Sequence, residues 1–570
     1  MPGARQIHAA EGGSPLHGDP RWNSPAVGPV LWICLIALGM RALAWARTDP
    51  VAFDSAVYFE MAAHLRAGQW SAALAYPYPP LYAALIALVQ TILPSAEAAG
   101  LLIALAADLL VLWPLVGIAR AAAGERAAWG AALLWAVHPY AVRLGVQALA
   151  DAPTAFFVAL AIWTGIRAAQ ARRVAWALGA GAASGLAYLL RPEGMEAALG
   201  LAVLYAVQSS KFKVQSSDAG VVRTPAPDAT TPAPGPRPPA HARRALRRAG
   251  WGLAPLAGLA VVASPYVAYV SVEAGTLTLS KKKSPAAFAR ALNPLGSPDH
   301  SAAGPERPGG AAQPPPPGPQ PPPTPRGRRA WLGKPLSNLY DFQKPLTNGI
   351  HPVVLILGVI GAAGLWRSGP AGGAWVRRLL AGLLGLHLAV LVGLAAARGP
   401  AYLGGHHFFL MVLYAGPFAG AGLARAVAWG EGRLRLPRWS AGVAVALLVM
   451  ALALQVLLRR PDQGTAVRPA AAWIRAQVAG TPVIVTSLAK LTYHAGAERV
   501  ELLGGYDEVL RRGRARSAQF VAFYPDALRQ VSPDFLSRLT PADLEFVRAF
   551  PEPSRTAPDR RLEVYRLKPG

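Results

Sequence analysis

The chain has 570 residues, of which 53% are hydrophobic and 15% charged, and its mean hydropathy is +0.30. Soluble globular proteins carry about 25% charged residues, so this composition excludes a chain that folds entirely in water. The formal net charge is +26, but the basic residues lie between apolar runs, which favours membrane topology and contact with anionic lipid over nucleic-acid binding. The single cysteine, Cys34, excludes an intrachain disulfide.

About eleven apolar runs recur along the chain, and roughly 20 apolar residues are enough to cross about 30 Å of hydrocarbon. They predict an α-helical polytopic membrane protein with about eleven spanning helices. The shorter runs need flanking residues or local thinning of the bilayer, and re-entrant segments are an alternative for a few of them. The runs are Val27 to Trp45, Ala99 to Ala119, Ala127 to Ala141, Ala152 to Ile166, Val174 to Leu190, Gly194 to Val207, Trp251 to Val270, Val353 to Trp366, Leu379 to Ala397, Phe408 to Leu423 and Ala441 to Leu458.

The first apolar run has two interpretations. Ala42-Leu43-Ala44 is a small-x-small pattern of the kind that a signal peptidase cleaves. We favour an uncleaved anchor, because the preceding tail is long and an informative motif begins just beyond the run, at Asp54.

Lysine and arginine concentrate in alternate loops, and the positive-inside rule assigns such loops to the cytoplasm. A single orientation satisfies all of them if the short run Pro80 to Leu93 does not cross the bilayer but lies as a surface helix in the first outer loop. The outer side then carries several candidate functional groups, namely Asp54, Asp151, Arg191, the loop from Arg398 to His407 and the chain after Arg459. The predicted location is the cell membrane, with multiple passes and an extracytoplasmic C-terminal domain.

Polar segments and a water-soluble tail divide the chain. Residues 209–239 are rich in Ser, Thr, Pro and Ala, and residues 285–329 are rich in Pro and Gly. Such segments bury too little apolar surface to offset the entropy of ordering, so we expect disorder or polyproline-like spacers, with a proline-binding partner as an open alternative. The predicted division is a cytoplasmic tail (1–26), an N-terminal membrane region with catalytic outer loops (27–208), a cytoplasmic linker (209–248), a spanning helix (249–272), an outer loop with the Pro-rich insert (273–349), a C-terminal membrane region (350–458) and an extracytoplasmic α/β domain (459–570).

Short strands alternate with helices after Arg460, which predicts a small C-terminal α/β domain of about 110 residues. This tail contains no glycine-rich phosphate loop before a helix, which disfavours a nucleotide site. Helices are expected at Pro469–Val478, Ser487–His494 and Tyr506–Arg512, and strands at Pro482–Thr486, Arg499–Leu503, Gln519–Tyr524 and Leu562–Leu567.

Ionisable residues at the edge of a membrane are costly and are therefore functional candidates. Asp54 and Tyr58 stand one helical turn apart and can face one cleft, where a carboxylate would accept the proton of an attacking hydroxyl or hold it in line. The alternative is that Asp54 only caps a helix. Asp151 has the same two interpretations, and Arg143 is either a substrate ligand or an anchor to lipid headgroups.

Two further clusters supply cations. Arg191-Pro192-Glu193-Gly194 interrupts a hydrophobic hairpin, and Arg398, His406 and His407 share a later loop. Arginine and histidine at these positions are suited to neutralising a phosphate through charge-assisted hydrogen bonds. Adjacent histidines also suit a metal, but no third ligand stands beside them, so we predict no metal site and no cofactor. A divalent cation is neither required nor excluded.

Together these motifs resemble the dolichyl-phosphate-mannose-protein mannosyltransferase-like membrane glycosyltransferases. That family includes bacterial aminoarabinose transferases and shares the C-type glycosyltransferase fold. The Asp54 cluster with Pro79-Pro80-Leu81-Tyr82 is similar to the family's first outer loop. The resemblance continues through Ala150-Asp151-Ala152-Pro153, Leu190-Arg191-Pro192-Glu193-Gly194 and the basic loop before Tyr414 to Pro417.

The resemblance implies an inverting transfer of a sugar from a polyprenyl-phosphate donor to an acceptor, which is a protein, a lipid or a glycan. The family's first-loop acid maps onto Asp54, near the acceptor nucleophile, and its second-loop acid maps onto Asp151. Many members have an Asp-Glu pair where this chain has Asp54-Ser55. The residues expected to bind substrate are Tyr58, Arg143, Arg191, Glu193, Arg398, His406 and His407.

Two rival hypotheses belong to other functional classes. A secondary transporter would place charges at the bilayer midplane within an inverted repeat, and no convincing repeat is present. A non-catalytic envelope scaffold would bind partners through its tail and Pro-rich loop.

Overall fold

The structure is a computed structural model that describes residues 27–208, 240–281, 343, 346–347, 349–398, 403–433, 437–458, 466–500, 502, 505–525, 528, 533–550 and 561–569. The predictions for the N-terminal tail, for residues 209–239 and for the Pro-rich insert lie outside these residues. Arg398 is described as the last residue of a helix, but its side chain is not.

The N-terminal half of the described chain is helical throughout. Its α-helices are α1 (Val27–Trp45), α2 (Phe53–Arg66), α3 (Trp70–Ala75), α4 (Leu81–Val89), α5 (Ala96–Leu110), α6 (Leu112–Ala123), α7 (Glu125–Val137), α8 (Pro139–Leu144), α9 (Asp151–Ala171), α10 (Val174–Tyr188), α11 (Glu196–Gln208) and α12 (Ala240–Ala274). A 3-10 helix, η1 (Pro192–Met195), joins α10 to α11.

The second membrane region is also helical. It consists of α13 (Pro352–Ser368), η2 (Ala371–Gly373), α14 (Ala374–Arg398), η3 (Gly405–Phe408), α15 (Phe409–Arg433) and α16 (Arg438–Leu458).

Within the described residues, 5 helical stretches are long and apolar enough to cross a membrane. They are Ala96–Ala123, Asp151–Ala171, Gly250–Ala274, Ala371–Ala395 and Gly405–Arg433, and shorter apolar helices lie at Pro29–Trp45, Val174–Tyr188, Pro352–Ser368 and Gly442–Val456. The chain is therefore a mostly helical polytopic membrane protein. The number of about eleven spans stays a prediction.

Small residues allow the membrane helices to pack closely. A side chain at Gly361 would overlap the carbonyl oxygen of Phe418, where α13 crosses α15, and one at Gly420 would overlap the carbonyl oxygen of Ala127, where α15 crosses α7. In lipid, where apolar surfaces gain little from meeting one another, such backbone proximity supplies much of the attraction between helices. Glycines at these crossings thus allow α15 to pack closely against α13 and α7.

Helices α2, α3 and α4 form a compact layer with its own buried core, which includes Met61, Tyr82 and Ile86. Helix α4 has 9 residues, which at about 1.5 Å per residue is too short to cross a bilayer. It packs on α2 instead, and the Tyr82 hydroxyl donates to the carbonyl of Gly100 on α5 at 2.9 Å. The segment from Pro80 is thus a short helix packed against the first loop, as expected from its length.

The C-terminal tail forms a sheet covered by helices. Its elements are α17 (Val467–Gln477), β1 (Val483–Val485), α18 (Ala489–Ala495), β2 (Glu498–Val500), α19 (Tyr506–Ala515), β3 (Phe520–Phe523), α20 (Pro533–Ser537), β4 (Leu544–Phe550) and β5 (Leu562–Leu567). The strand order is β2-β1-β3-β5-β4, in which β1 pairs parallel with β2 and β3, and β5 pairs antiparallel with β3 and β4.

Alternating side chains of the strands contact helices on opposite faces of this sheet. Ile484 and Phe520 share a core with Ile474 of α17, whereas Val485 and Val521 pack with α19. The tail is therefore an α/β layer arrangement. Strand β4 is not predicted by the sequence analysis, because its irregular register breaks the alternation of apolar residues on which strand prediction depends.

The C-terminal sheet domain docks on the first loop through charged and aromatic contacts. Asp49 Oδ1 lies 2.9 Å from Arg468 Nη2, and Asp49 Oδ2 lies 2.7 Å from Lys490 Nζ. Two further contacts lie along α2, namely Arg499 Nη2 at 3.2 Å from Glu60 Oε2 and the Tyr493 ring at 4.9 Å from Phe59. The domain thus rests on the helix that carries Asp54.

We expect this docking to weaken in acid. Burial raises the pKa of Asp49, but hydrogen bonds from Arg468 and Lys490 outweigh it and lower the pKa from 3.8 to about 2. A carboxyl with a lowered folded-state pKa stabilises the docked state above its unfolded value, near 3.8, and this contribution is lost as the pH falls through about 2. For the partly exposed Asp49 it amounts to about 1–2 kcal/mol.

The measurement is hydrogen exchange of α18, corrected for the intrinsic pH dependence of exchange, between pH 5 and 2. The wild type should lose protection in this interval. The variant Asp49→Asn should start from lower protection and change less with pH. An identical pH response in the two proteins would exclude Asp49 as the titrating contact.

Candidate active site

A cavity of about 210 Å³ opens between the first loop, the turn after α10 and the η3 segment. Asp54, Tyr58 and Tyr78 line it from the first loop, while Arg191 and Glu193 line it from the turn. Three more polar residues line the same cavity, namely Ser280, His406 and His407. The fold therefore collects residues from widely separated segments into one polar cavity beside the ends of apolar helices.

Asp54 lies in the first turn of α2, but it does not cap this helix. The N-cap is Ala52, and its N–H donates to Ser55 Oγ at 2.9 Å. Asp54 Oδ1 instead accepts a hydrogen bond from the Tyr78 hydroxyl at 2.8 Å. Of the two interpretations of Asp54, the cap is therefore wrong, and its carboxylate lines the cavity.

Tyr58 is held in an aromatic cluster beside Asp54. Its ring centroid lies 5.1 Å from that of Tyr78 and 4.9 Å from that of Tyr82. Burial raises the pKa of Tyr58 well above its ordinary value. The phenol therefore stays protonated and is suited to donating a hydrogen bond rather than accepting a proton as a base.

Arg191 is fixed between two carboxylates. Its Nη1 lies 2.6 Å from Asp151 Oδ1, and its Nε lies 3.8 Å from Glu193 Oε2. Burial lowers the pKa of Arg191, but the charges of Asp151 and Glu193 outweigh this and raise it above its ordinary value. Arg191 is therefore a permanent, oriented cation in the cavity wall.

Asp151 occupies the first position of α9, where Ala150 is the N-cap, so it is not a cap either. Its side chain is 5% exposed and faces Arg191. It lies behind the cavity wall rather than among the residues that line the cavity. This position suits orienting Arg191 better than contacting a substrate.

The rings of the two histidines of η3 are tilted by 37° to each other, with centroids 4.0 Å apart. His407 is buried, and its Nδ1 accepts the N–H of Gly404 at 3.1 Å. The carbonyl oxygen of His407 lies 2.7 Å from Nε2 of His387 on α14. The buried side chain of His387 thus fixes the backbone of η3 at His407.

His387 also contacts Glu196, the first residue of α11. Its Nδ1 lies 2.9 and 2.8 Å from the two carboxylate oxygens, and both side chains are buried. Because the Nε2–H is donated to His407, one proton is shared between Nδ1 and the carboxylate, and the pair is neutral overall. Glu196 directly follows η1, so the contact of Glu196 with His387 connects the Arg191–Glu193 turn to His407 of η3.

One predicted substrate ligand, Arg143, is absent from the cavity lining, and the side chain of a second, Arg398, lies outside the described part of the structure. Arg143 is half-buried on α8, outside the residues that line the cavity. Arg398 ends α14, before the gap in the described chain that precedes η3. Phosphate binding by Arg398 therefore stays a prediction.

Sequence reasoning missed several residues of the site. The pair Glu196–His387 is separated by 191 positions, but each residue is ionisable within an apolar run, which is a recognisable signal. Tyr78 belongs to the motif Tyr76-Pro77-Tyr78-Pro79, although nothing in it indicates a bond to Asp54. Ser280 carries no sequence signal. Within the described residues, no group of three His, Cys, Asp or Glu side chains is arranged to hold a metal ion.

Residues 78–220 match the family described as dolichyl-phosphate-mannose-protein mannosyltransferase. The fold is similar to the crystal structure of ArnT from Cupriavidus metallidurans bound to undecaprenyl phosphate, with TM-score 0.51, 15% identity, and coverage of 95% of this chain and 98% of that chain. The predicted family resemblance is confirmed.

The ArnT structure in the apo state gives the same TM-score of 0.51, identity of 15% and coverage of 95% and 98%. The oligosaccharyltransferase of Archaeoglobus fulgidus in complex with zinc and sulfate gives a TM-score of 0.49 at 13% identity, covering 91% of this chain and 71% of that one. A comparison with curated proteins finds no match. At 15% identity, the likeness to ArnT concerns the fold alone.

We expect His387→Leu to destabilise the protein by about 3–5 kcal/mol, because Glu196 is then left as a buried carboxylate without its partner. The double variant Glu196→Met/His387→Leu should recover much of this loss, since apolar side chains of similar volume often replace a buried pair at little cost. The apparent Tm of each purified protein in detergent provides the comparison. If the double variant is as unstable as the single one, the pair is not the source of the effect.

Proposed function

We propose that this chain is an integral membrane glycosyltransferase that transfers a sugar from a polyprenyl-phosphate-linked donor to an extracytoplasmic acceptor. The observation that carries the proposal is the polar cavity that the Asp54 carboxylate and the Arg191 guanidinium both line. The similarity of the fold to ArnT, solved with undecaprenyl phosphate, supports the donor class. A lipid-linked donor requires a site at the bilayer surface, where its tail and its phosphate are both solvated.

The reaction is an inverting displacement. An oxygen or nitrogen nucleophile of the acceptor attacks the anomeric carbon, and the bond from this carbon to the phosphate oxygen breaks. The bonding electrons leave with polyprenyl phosphate, and the acceptor's proton passes to a base. Asp54 is our candidate for this base, because its carboxylate lines the cavity and the Tyr78 hydroxyl fixes its orientation.

The cationic side chains and the carboxylates of the cavity have complementary roles in this reaction. Cationic groups stabilise the negative charge that develops on the departing phosphate, and Arg191 is the described cation of the wall. Asp151 and Glu193 partly neutralise the charge of Arg191. Hydrogen bonds from His406 and His407 to the departing phosphate would therefore add to the stabilisation that Arg191 gives. The carboxylates of Asp54 and Glu193 would stabilise the positive charge that builds up at the anomeric carbon.

The proposed orientation places the cavity and the C-terminal domain outside the cytoplasm. Its support is the alternation of basic and sparsely charged loops along the sequence. The sheet domain contacts α2, the helix that carries Asp54. This contact supports a location of the domain and of Asp54 on one side of the membrane.

The arrangement of ionisable residues among the apolar helices favours an enzyme over a transporter. Arg41 Nε lies 2.6 Å from Asp108 Oδ2, and His387 contacts Glu196 in the same way, with all four side chains buried. Each of these charges is neutralised within its own pair. Five other ionisable residues instead line the cavity, namely Asp54, Arg191, Glu193, His406 and His407.

The test combines deletion of the gene with complementation. Mass spectrometry of cell-envelope glycans should show a glycan that is lost on deletion and restored by the wild-type gene. Asp54→Asn keeps the size of the side chain but removes the base, so transfer should fall about 100- to 10,000-fold. The matched variant Tyr78→Phe removes only the hydrogen bond to Asp54 and should reduce transfer about 3- to 10-fold.

Expression level and Tm in detergent control for folding of both variants. Full restoration of the glycan by Asp54→Asn would exclude Asp54 as the base. An unchanged glycan profile after deletion, with the wild-type protein inactive on polyprenyl-phosphate sugars, would overturn the proposed function itself.

A further inference from the structure

The chain beyond α12 forms part of the cavity wall and is anchored on both sides of Ser280. On one side, the Tyr188 hydroxyl donates to the carbonyl of Leu279. On the other, Lys281 Nζ donates to the carbonyl of Leu74 at 2.7 Å. These contacts hold the segment between α10 and the first loop without using the Ser280 side chain.

Ser280 lines the cavity together with Asp54 and Arg191. The residue is 1% exposed, and its hydroxyl has no hydrogen-bond partner among the described residues. A buried hydroxyl without a partner is costly, and native proteins leave few of them. This position is explained if a ligand bound in the cavity supplies the hydrogen-bond partner of the Ser280 hydroxyl.

We propose that Ser280 binds the polar head of the lipid-linked donor, by a hydrogen bond to an oxygen of the sugar or of its phosphate. The inference rests on the proposed function, which it deepens. Serine both donates and accepts, so it suits a sugar hydroxyl as well as a phosphate oxygen. Its role is to bind and orient the donor, and no proton transfer is assigned to it.

The position of Ser280 favours the donor over the acceptor. Ser280 follows shortly after the end of α12 at Ala274. Of an 18-residue apolar window within Gly250–Ala274, 33% is buried, whereas 94% is buried in the corresponding window of Gly405–Arg433. Helix α12 therefore exposes more of its surface to the bilayer. A donor whose lipid tail lies along this surface would have its head group beside Ser280.

A matched control lies two positions away in the same segment. Thr278 is also buried, at 7% exposure, but its Oγ1 donates to the carbonyl of Thr276 at 3.1 Å. Thr278 does not belong to the cavity lining. Removal of this satisfied hydroxyl should lower stability, whereas removal of the unpartnered Ser280 hydroxyl should leave stability unchanged or raise it.

The experiment uses the full-length protein in detergent with two probes, undecaprenyl phosphate and its mannosyl ester. Binding is followed by quenching of tryptophan fluorescence. We expect Ser280→Ala to weaken binding of one or both probes about three- to tenfold, the loss of one hydrogen bond, without lowering Tm. An effect on both probes assigns the bond to the phosphate, and an effect on the mannosyl ester alone assigns it to the sugar.

Thr278→Ala should give the opposite pattern, with a lower Tm and unchanged Kd values. If Ser280→Ala binds both probes as the wild type does, the donor-binding role of Ser280 is overturned while the proposed function stands. If the wild type binds neither probe, the proposed donor class fails, and the role of Ser280 fails with it.

Discussion

The pairing of Arg191 with Asp151 is the contact on which the cavity depends. A guanidinium at the edge of a membrane must be paired, because its charge is poorly solvated there. Asp151 at the start of α9 meets it at 2.6 Å, and Glu193 stands on its other side. The pair joins α9 to the turn after α10 and fixes one cationic group at the cavity wall.

A second buried pair supports the η3 segment of the cavity lining. Glu196 and His387 share one proton, and His387 also donates to the His407 carbonyl. In a medium without water, each of these polar groups needs its partner, so the pair fixes the distance between α11, α14 and η3 more tightly than apolar packing would. The same principle explains the buried contact between Arg41 and Asp108, which links α1 to α5.

The C-terminal sheet domain extends this network outside the membrane region. It contacts Asp49 just before α2, and Glu60 and Phe59 along α2, which is the helix that positions Asp54 and Tyr58. Ala489 of the domain is buried within the core of the first loop. A domain that appears separate in composition is therefore part of the support of the cavity.

Length, composition and periodicity alone determined the class of this protein. Apolar runs had to become membrane helices, since only hydrogen-bonded helices satisfy their backbone in lipid, and alternating short elements had to become an α/β tail. The motifs around Asp54, Arg191 and His406 indicated candidate groups, because charges at a membrane edge are costly to keep. Only the tertiary structure decided which of them meet. It placed Asp151 behind Arg191, joined Glu196 to His387 and brought Ser280 into the wall, because such contacts depend on helix packing between segments far apart in the chain, where no local pattern records them.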